Sequence, residues 1–158
     1  MPDMPPPPAP EVEIVVVHPP RLAPLGGEAA FSAIRIDAEA LKGEPRLDEA
    51  LKTAPGVSLF RRTGSGAANP TTQGLSLRAI APSGAGRALV TLDGAPQNDP
   101  FGGWVIWSGL PSEGLEGATV VRGAGAGPYG AGALTGVVAL QERATPDGLA
   151  VADVSGGQ

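Results

Sequence analysis

Half of the prolines in this chain lie within its first 24 residues, and they divide the sequence into two parts. The chain has 158 residues and 18 prolines, nine of them before residue 25. Proline fixes φ and has no N–H to donate, so a segment this rich in proline stays extended and does not enter the interior of a sheet. We therefore expect residues 1–27 to form an extended tail and the folded part to begin near Glu28.

The remaining composition favours a folded domain with many turns and excludes several function classes. Hydrophobic residues make up 42% of the chain and charged residues 17%, which is too apolar for a disordered acidic chain. A net charge of −5 with scattered Lys and Arg argues against nucleic acid as a partner. With no cysteine and with His18 as the only histidine, the residues of thiolate or His-rich metal sites and of catalytic triads are missing. We expect no enzymatic activity, no metal and no cofactor.

Localisation signals are not visible in these residues. No apolar run reaches the roughly 18 to 20 residues of a membrane helix. Residues 1–10 also lack the basic start and the apolar stretch of a signal peptide. The sequence therefore predicts neither a membrane helix nor an export signal within this chain.

Short strands and short helices follow one another after the tail, which predicts an α+β domain with Gly-rich loops. Alternating or β-branched apolar residues predict strands at residues 30–36, 57–60, 74–78, 87–92, 118–122 and 135–141. Asp37 is positioned to cap a helix that reaches Leu41, and Pro111 precedes another helical turn. Asp93-Gly94 is typical of a tight hairpin turn after the strand at 87–92.

A second helix is predicted by apolar residues that recur at i, i+3, i+4 and i+7. These residues are Leu47, Ala50, Leu51 and Ala54. Asp48 and Glu49 favour the first turn through the helix dipole, and we interpret both carboxylates as solvated. Pro55-Gly56 is expected to end the helix.

Two loop regions allow more than one interpretation. Asp93, Asn98 and Asp99 could supply oxygens to a calcium ion, but their spacing fits no EF-hand loop and turn capping explains them better. Residues 99–107 contain three of the six aromatic residues. They form either a local mini-core, which we favour, or an exposed loop patch.

A glycine pattern in the C-terminal third suggests a dinucleotide site, which we reject. Gly125, Gly127 and Gly130 match G-x-G-x-x-G after a predicted strand. Pro128 removes a backbone donor inside this pattern, and no helix is expected before the strand at 135–141. The glycines are therefore interpreted as a loop.

Two further features leave alternatives open. Residues 11–17 are a β-branched run between prolines, and they form either an edge strand or a peptide offered to the sheet edge of a partner. Arg78 and Arg122 each end an apolar strand, where a buried cation needs a carboxylate partner. Ordinary surface arginines are the equal alternative.

From Leu47 to Arg143, the order of the segments resembles the plug domain of TonB-dependent outer-membrane receptors. The similarity is carried by Leu47-Asp-Glu-Ala-Leu, Pro55-Gly56-Val57, Leu77-Arg78, Leu89-Val-Thr-Leu-Asp93-Gly94, Val120-Val-Arg122-Gly123, Tyr129-Gly130 and Gly136-Val137-Val138. Any one of these pieces is weak evidence, whereas their shared order and spacing are specific. The residues that match the plug motif are Pro55, Gly56, Asp93, Gly94, Gly123, Tyr129, Gly130 and Gly136.

The resemblance implies a function for the tail. The segment that is similar to the TonB box of this family consists of Glu13, Ile14, Val15, Val16 and Val17. In the family, that peptide pairs as a strand with the periplasmic C-terminal domain of TonB. Energised TonB then displaces or remodels the plug, so that a bound metal chelate or vitamin, such as a ferric siderophore or cobalamin, passes through the barrel.

The same resemblance implies two kinds of contact in the domain. Arg78 and Arg122 would face glutamates of the β-barrel of the same receptor, and loops 61–70 and 97–104 would face the ligand. The sequence departs from the family pattern at Ala79, where glycine usually follows the first arginine. It also has Gly117 and Thr119 where arginine and glutamate are frequent. We therefore expect an altered charge network at the barrel wall.

The part of the chain that follows the plug-like region is short. Only 15 residues follow Arg143, far fewer than a barrel needs. The resemblance implies a tail at residues 1–27, a plug at 28–143 and the start of a truncated barrel segment at 144–158. We expect a fragment of an outer-membrane receptor that does not transport alone. The alternative is a free-standing plug-like module that binds a partner through its Pro-rich arm.

Overall fold

The computed structural model describes residues 32–59, 73–77, 87–123, 129–130 and 132–144 of the chain. Its first elements are β1 (Ser32–Asp37), α1 (Ala38–Lys42), α2 (Leu47–Leu51), β2 (Val57–Leu59) and β3 (Leu75–Leu77). The later strands are β4 (Ala88–Leu92), β5 (Ala95–Pro96), β6 (Leu115–Arg122) and β7 (Gly136–Glu142). Two short 3₁₀ turns lie between β5 and β6, at Trp107–Gly109 and Ser112–Gly114. Every predicted strand lies at or near its expected position.

The main sheet is mixed and has five strands in the order β1-β6-β7-β4-β5. β6 is antiparallel to both β1 and β7, and β5 is antiparallel to β4. β4 and β7 are parallel and lie side by side. β2 and β3 form a separate antiparallel ribbon. This mixed sheet with short helices confirms the predicted α+β class.

The main core lies on one face of this sheet. Strand residues alternate between faces, so every second residue of β4, β6 and β7 points into the same layer. The helices and the β2–β3 ribbon cover that layer, and the central buried side chains are Leu41, Leu51, Leu77, Val90, Val120, Val138 and Leu140. A smaller cluster lies apart from it and contains Leu89, Ala133 and Val137, with Tyr129 and Ala139 packed against them.

Both predicted helices are present, and each begins and ends for a local reason. Asp37 caps α1 as expected, because its Oδ1 accepts a hydrogen bond of 2.9 Å from the Ala40 N–H. The second helix is shorter than predicted. It ends at Leu51 and continues as i to i+3 bonds, up to the bond from the Ala54 N–H to the Leu51 carbonyl at 3.2 Å. All four apolar positions of the predicted face are buried.

The expectation of a solvated Asp48 is wrong. Asp48 is fully buried, and the nearby Leu47 and Ala50 are also buried. α2 is only five residues long and packs against α1, so more than one side of it is covered. A buried carboxylate needs polar partners, and Asp48 is among the residues that have one.

The aromatic stretch divides between the two interpretations that the sequence allowed. Trp107 is only 3% exposed and belongs to the main core, together with Val105. Phe101 is 97% exposed. The stretch is therefore a core segment that carries an exposed tip.

Several predictions fall outside the described residues. They concern the tail, the loop at 61–70, Arg78, and the glycines at 125 and 127. Within the described ranges, none of the helices has the length and apolar character required to cross a membrane.

Candidate functional site

The most exposed aromatic side chain in the described ranges lies at the tip of a closed loop. We call residues 98–105 the Phe101 loop. Asn98 and Val105 form an antiparallel bridge at its base. Above that bridge, the Asp99 N–H donates to the Trp104 carbonyl and the Gly103 N–H donates to the Asp99 carbonyl, both at 2.8 Å. These bonds make the loop a small hairpin.

Asn98 ties the Phe101 loop to the main sheet. Its Oδ1 accepts from the Val90 N–H at 2.7 Å, and its Nδ2 donates to the carbonyls of Ala88 and Gly103, both at 3.1 Å. β5 has only two residues, so the Asn98 amide continues the pairing along the edge of β4. The Asn98 side chain thus supplies hydrogen-bond partners to two backbone groups on the edge of β4 and fixes the position of the loop.

Asp99 shapes the tip of the loop. Its Oδ1 accepts from the N–H groups of Phe101 at 2.9 Å and Gly102 at 2.7 Å. These two bonds confirm turn capping as the function of Asp99. The Phe101 ring is therefore presented to solvent on a hydrogen-bonded turn rather than on a loose segment.

A depression of about 380 Å³ lies beside the tip. It is lined by Leu89, Asn98, Asp99, Pro100, Phe101, Gly102, Gly103 and Gly132. Apolar walls with a few polar groups are typical of ligand sites. The described residues contain no cluster of three or more His, Cys, Asp or Glu able to hold a metal ion. The arrangement offers contact surface and hydrogen-bonding groups.

The far end of the Phe101 loop is held by one carbonyl group. The Gln73 carbonyl accepts from the Val105 N–H at 3.0 Å and from the Trp107 Nε1 at 3.2 Å. Both bonds lie next to β3 in the main core. The loop is thus anchored by the half-buried Asn98 at one end and by the buried Val105 and Trp107 at the other.

Arg122 forms a second candidate site at one end of the main sheet. Its Nη1 donates to the Pro55 carbonyl at 2.7 Å and its Nη2 to the Ser32 Oγ at 2.5 Å. Its Nε is buried without a hydrogen bond, and none of the described carboxylates forms an ion pair with the guanidinium. Gly136 lies directly opposite Arg122 in β7. The structure therefore brings Pro55, Arg122 and Gly136 together, with Gly56 and Gly123 adjacent in the chain.

Asp93 and Gly94 lie at the opposite end of the sheet. Their φ values of 47° and 88° fit the predicted tight hairpin turn. Asp93 Oδ1 accepts from the Glu142 N–H at 3.1 Å, and the Asp93 N–H donates to the Leu140 carbonyl at 3.0 Å. This turn ties the β4–β5 hairpin to β7 and is remote from Arg122.

Tyr129 and Gly130 belong to neither of these ends. Tyr129 packs against the small Leu89 cluster, and the Gly130 carbonyl accepts from the Ala133 N–H at 3.2 Å. Arg78 and the box-like residues 13–17 lie outside the described residues. The bonds of Asn98 to β4 are not evident from the sequence, because they depend on how the residues after β5 fold back along that strand.

Comparison with known proteins assigns most of the chain to one family model. The model for the TonB-dependent receptor plug domain matches residues 28–137. Among curated protein sequences, none matches the chain significantly.

Solved structures give the same relationship. The unliganded ferric citrate transporter FecA is 30% identical with a TM-score of 0.58, over 75% of this chain and 18% of that one. The siderophore receptor PirA from Pseudomonas aeruginosa is 28% identical with a TM-score of 0.51, over 73% of this chain and 19% of that one. The Serratia marcescens hemophore receptor HasR shares the fold at 22% identity and a TM-score of 0.54, over 75% of this chain and 18% of that one. The chain thus spans less than a fifth of each of these receptors.

Proposed function

The chain belongs to the plug-domain family of TonB-dependent receptors, and we propose that it is the plug segment of an outer-membrane receptor for a scarce nutrient. The observation that carries this proposal is the family match over residues 28–137. We propose a metal chelate or vitamin as the ligand, in the class of ferric siderophores and cobalamin. FecA and PirA are named for ferric citrate and a siderophore, which supports the metal-chelate class.

The Phe101 loop is our candidate for the ligand-facing surface. Its support is an aromatic ring that is almost fully exposed although its backbone is held by the Asp99 and Asn98 hydrogen bonds. Holding a loop in one conformation before binding lowers the entropy cost of binding. An aromatic ring on such a loop suits the apolar and π surfaces of a chelate or a macrocycle.

Arg122 is our candidate for a contact with the barrel of the same receptor. Its two Nη groups bond to neutral oxygens, whereas its Nε is buried without a partner. A half-buried cation in this condition is stabilised most by a carboxylate from a neighbouring surface. A barrel-wall glutamate would supply that charge. By the same resemblance, Arg78 is proposed for an equivalent contact.

The domain limits follow from the same proposal. We assign residues 1–27 to a tail that carries the TonB box, 28–143 to the plug and 144–158 to the beginning of the barrel. The whole receptor, rather than this segment, would perform transport. The competing proposal is a free-standing plug-like module that binds a partner through its Pro-rich arm.

Cell fractionation tests which of these two forms exists. An antibody raised against residues 32–143 should detect a band several times heavier than 15.7 kDa in the outer membrane. Loading with outer-membrane and cytoplasmic marker proteins controls the fractionation. A soluble band near 15.7 kDa would contradict the receptor proposal and favour the free-standing module.

The TonB box is tested by substituting proline within it. Val16→Pro removes a backbone donor from an extended peptide that must pair edge to edge. We expect the affinity for the periplasmic C-terminal domain of TonB to fall by at least about tenfold, since several main-chain bonds are lost. Titration calorimetry with the full chain measures this change.

The matched control is Leu22→Pro, which makes the same kind of change in the tail but outside the box. It should leave the affinity unchanged. Equal affinities for the wild-type chain and the Val16→Pro variant would remove the box assignment.

A further inference from the structure

The outer edge of β1 is open in the described part of the chain. β1 is the last strand on its side of the main sheet and pairs only with β6 there. Open strand edges expose unpaired N–H and C=O groups, and proteins usually cover or protect them. β1 has six residues, which is long enough to accept another strand.

The side chains of β1 show what kind of strand would fit. Ile34 and Ile36 lie on the core face, and Ile34 is only partly buried although it packs against the core. Ala33 and Arg35 are exposed on the other face, and Arg35 forms no ion pair with any described carboxylate. A matching strand would carry aliphatic residues on the first face and a negative charge on the second.

Residues 11–17 have this pattern. Alternation along a strand places Val12, Ile14 and Val16 on one face, and Glu11, Glu13, Val15 and Val17 on the other. Prolines at 10 and 19 limit the segment on both sides, because proline cannot continue the ladder of a sheet. The segment is therefore a short strand former with one aliphatic face and with two glutamates on the other face.

We infer that residues 12–16 add to the open edge of β1 as an antiparallel sixth strand with Glu13 opposite Arg35. This register places Val12 opposite Ile36 and Ile14 opposite Ile34, so the aliphatic core face is extended. A slip of one residue would move Glu13 to the core face, which the pleat strongly disfavours.

Registers shifted by two residues keep each side chain on the same face of the sheet, but they are less favourable. A slip of two residues in one direction brings Glu13 opposite Asp37, a like-charge pair. The opposite slip leaves Ile36 without a partner. Only the proposed register gives Ile34 and Ile36 aliphatic partners and also places a glutamate opposite Arg35.

The connection between the two strands is long enough. Pairing Val16 with Ser32 leaves residues 17–31 as the loop, and the entropy of closing a loop grows only slowly with its length. Tethering also keeps the segment at a high effective concentration near the edge, which favours it over a separate molecule. A second copy of the chain is therefore the weaker occupant.

Disulfide trapping tests the register, and the absence of cysteine in the native chain makes the test clean. Val15 and Ala33 would be opposite each other on the solvent face, within the Cα spacing that a disulfide needs. In the full chain, Val15→Cys with Ala33→Cys should oxidise to a monomeric disulfide at least about tenfold faster than an unpaired control, because pairing holds the two thiols together. The control is Val16→Cys with Ala33→Cys, whose side chains would lie on opposite faces.

Three outcomes of the trapping experiment would overturn the inference. These are equal rates in the two double variants, no intramolecular disulfide in either, and disulfide-linked dimers as the main product. No TonB is present in the sample, so the result does not depend on the box assignment.

Hydrogen exchange provides a second test without cysteines. The β1 amides that do not donate to β6 should exchange at least about tenfold faster in Ile14→Pro than in the wild-type chain, because the added strand is lost. Leu22→Pro is the control and should leave these rates unchanged. Equal rates for Ile14→Pro and the wild-type chain would overturn the inference.

Discussion

Gly136→Ala is expected to destabilise the domain by about 3 to 5 kcal/mol, the range of overpacking combined with backbone strain. Gly136 begins β7 with φ at +143°, a region that residues with a side chain rarely adopt. A Cβ at this position would overlap the Val121 carbonyl oxygen and lie 2.7 Å from Leu77 Cδ1. Because Val121 is backbone-paired in the adjacent β6, it cannot move without breaking the sheet.

Urea unfolding followed by tryptophan fluorescence measures this effect, since Trp107 is buried in the main core. The matched control is Gly114→Ala. A Cβ there meets no atom within 4 Å, so the free energy of unfolding should change by no more than about 0.5 kcal/mol. An unchanged unfolding midpoint for Gly136→Ala would contradict the close approach of β6 and β7 at this residue.

Asn98→Ala is expected to lower the free energy of unfolding by about 2 to 3 kcal/mol, since three hydrogen bonds worth about 1 kcal/mol each are lost. The substitution leaves the Val90 N–H and the Ala88 carbonyl on the β4 edge without their partner. It also frees the Gly103 carbonyl, and with it one side of the Phe101 loop. The same unfolding assay measures the loss.

Asn98→Asp keeps the size of the side chain but removes its N–H donors, so it tests whether the loss of stability comes from the hydrogen bonds. The carboxylate can still accept from Val90, but its second oxygen would face the carbonyls of Ala88 and Gly103. We expect a loss at least as large as that of Asn98→Ala. Gln97→Ala is the neighbouring control, because Gln97 Nε2 makes only a local, exposed bond to the Ala95 carbonyl. If the Val90 amide exchanges at the wild-type rate in Asn98→Ala, the proposed anchoring of the loop is wrong.

The features that the sequence predicted correctly depend on local spacing. Leu47 and Leu51 lie on one helical face, and Asp93-Gly94 has the residues that a tight turn requires, so each could be recognised within a few residues. The α+β class followed from the same patterns of short strands and helices.

The features that the sequence did not predict depend on packing between separate elements rather than on spacing within one element. The helical spacing places Asp48 outside the apolar face of α2 and so predicts that it is exposed. Its burial arises from the packing of α1 against α2. The Asn98 amide is typical of a turn in the sequence, yet it completes the edge of β4. Phe101 and Trp107 are both aromatic, and only the tertiary structure separates an exposed tip from a core residue.

The pairing of β1 with β6 has a consequence for how fast the domain can fold. Ser32 lies opposite Arg122, and the Arg122–Ser32 side-chain bond joins residues 90 positions apart. Contacts this distant in sequence form late and slow the search for the native state. Until residues 115–122 have left the ribosome, β1 lacks β6, and the core face that carries Ile34 and Ile36 stays exposed. A nascent chain of this topology is therefore most prone to aggregate during its own synthesis, when a chaperone that covers β1 would be most effective.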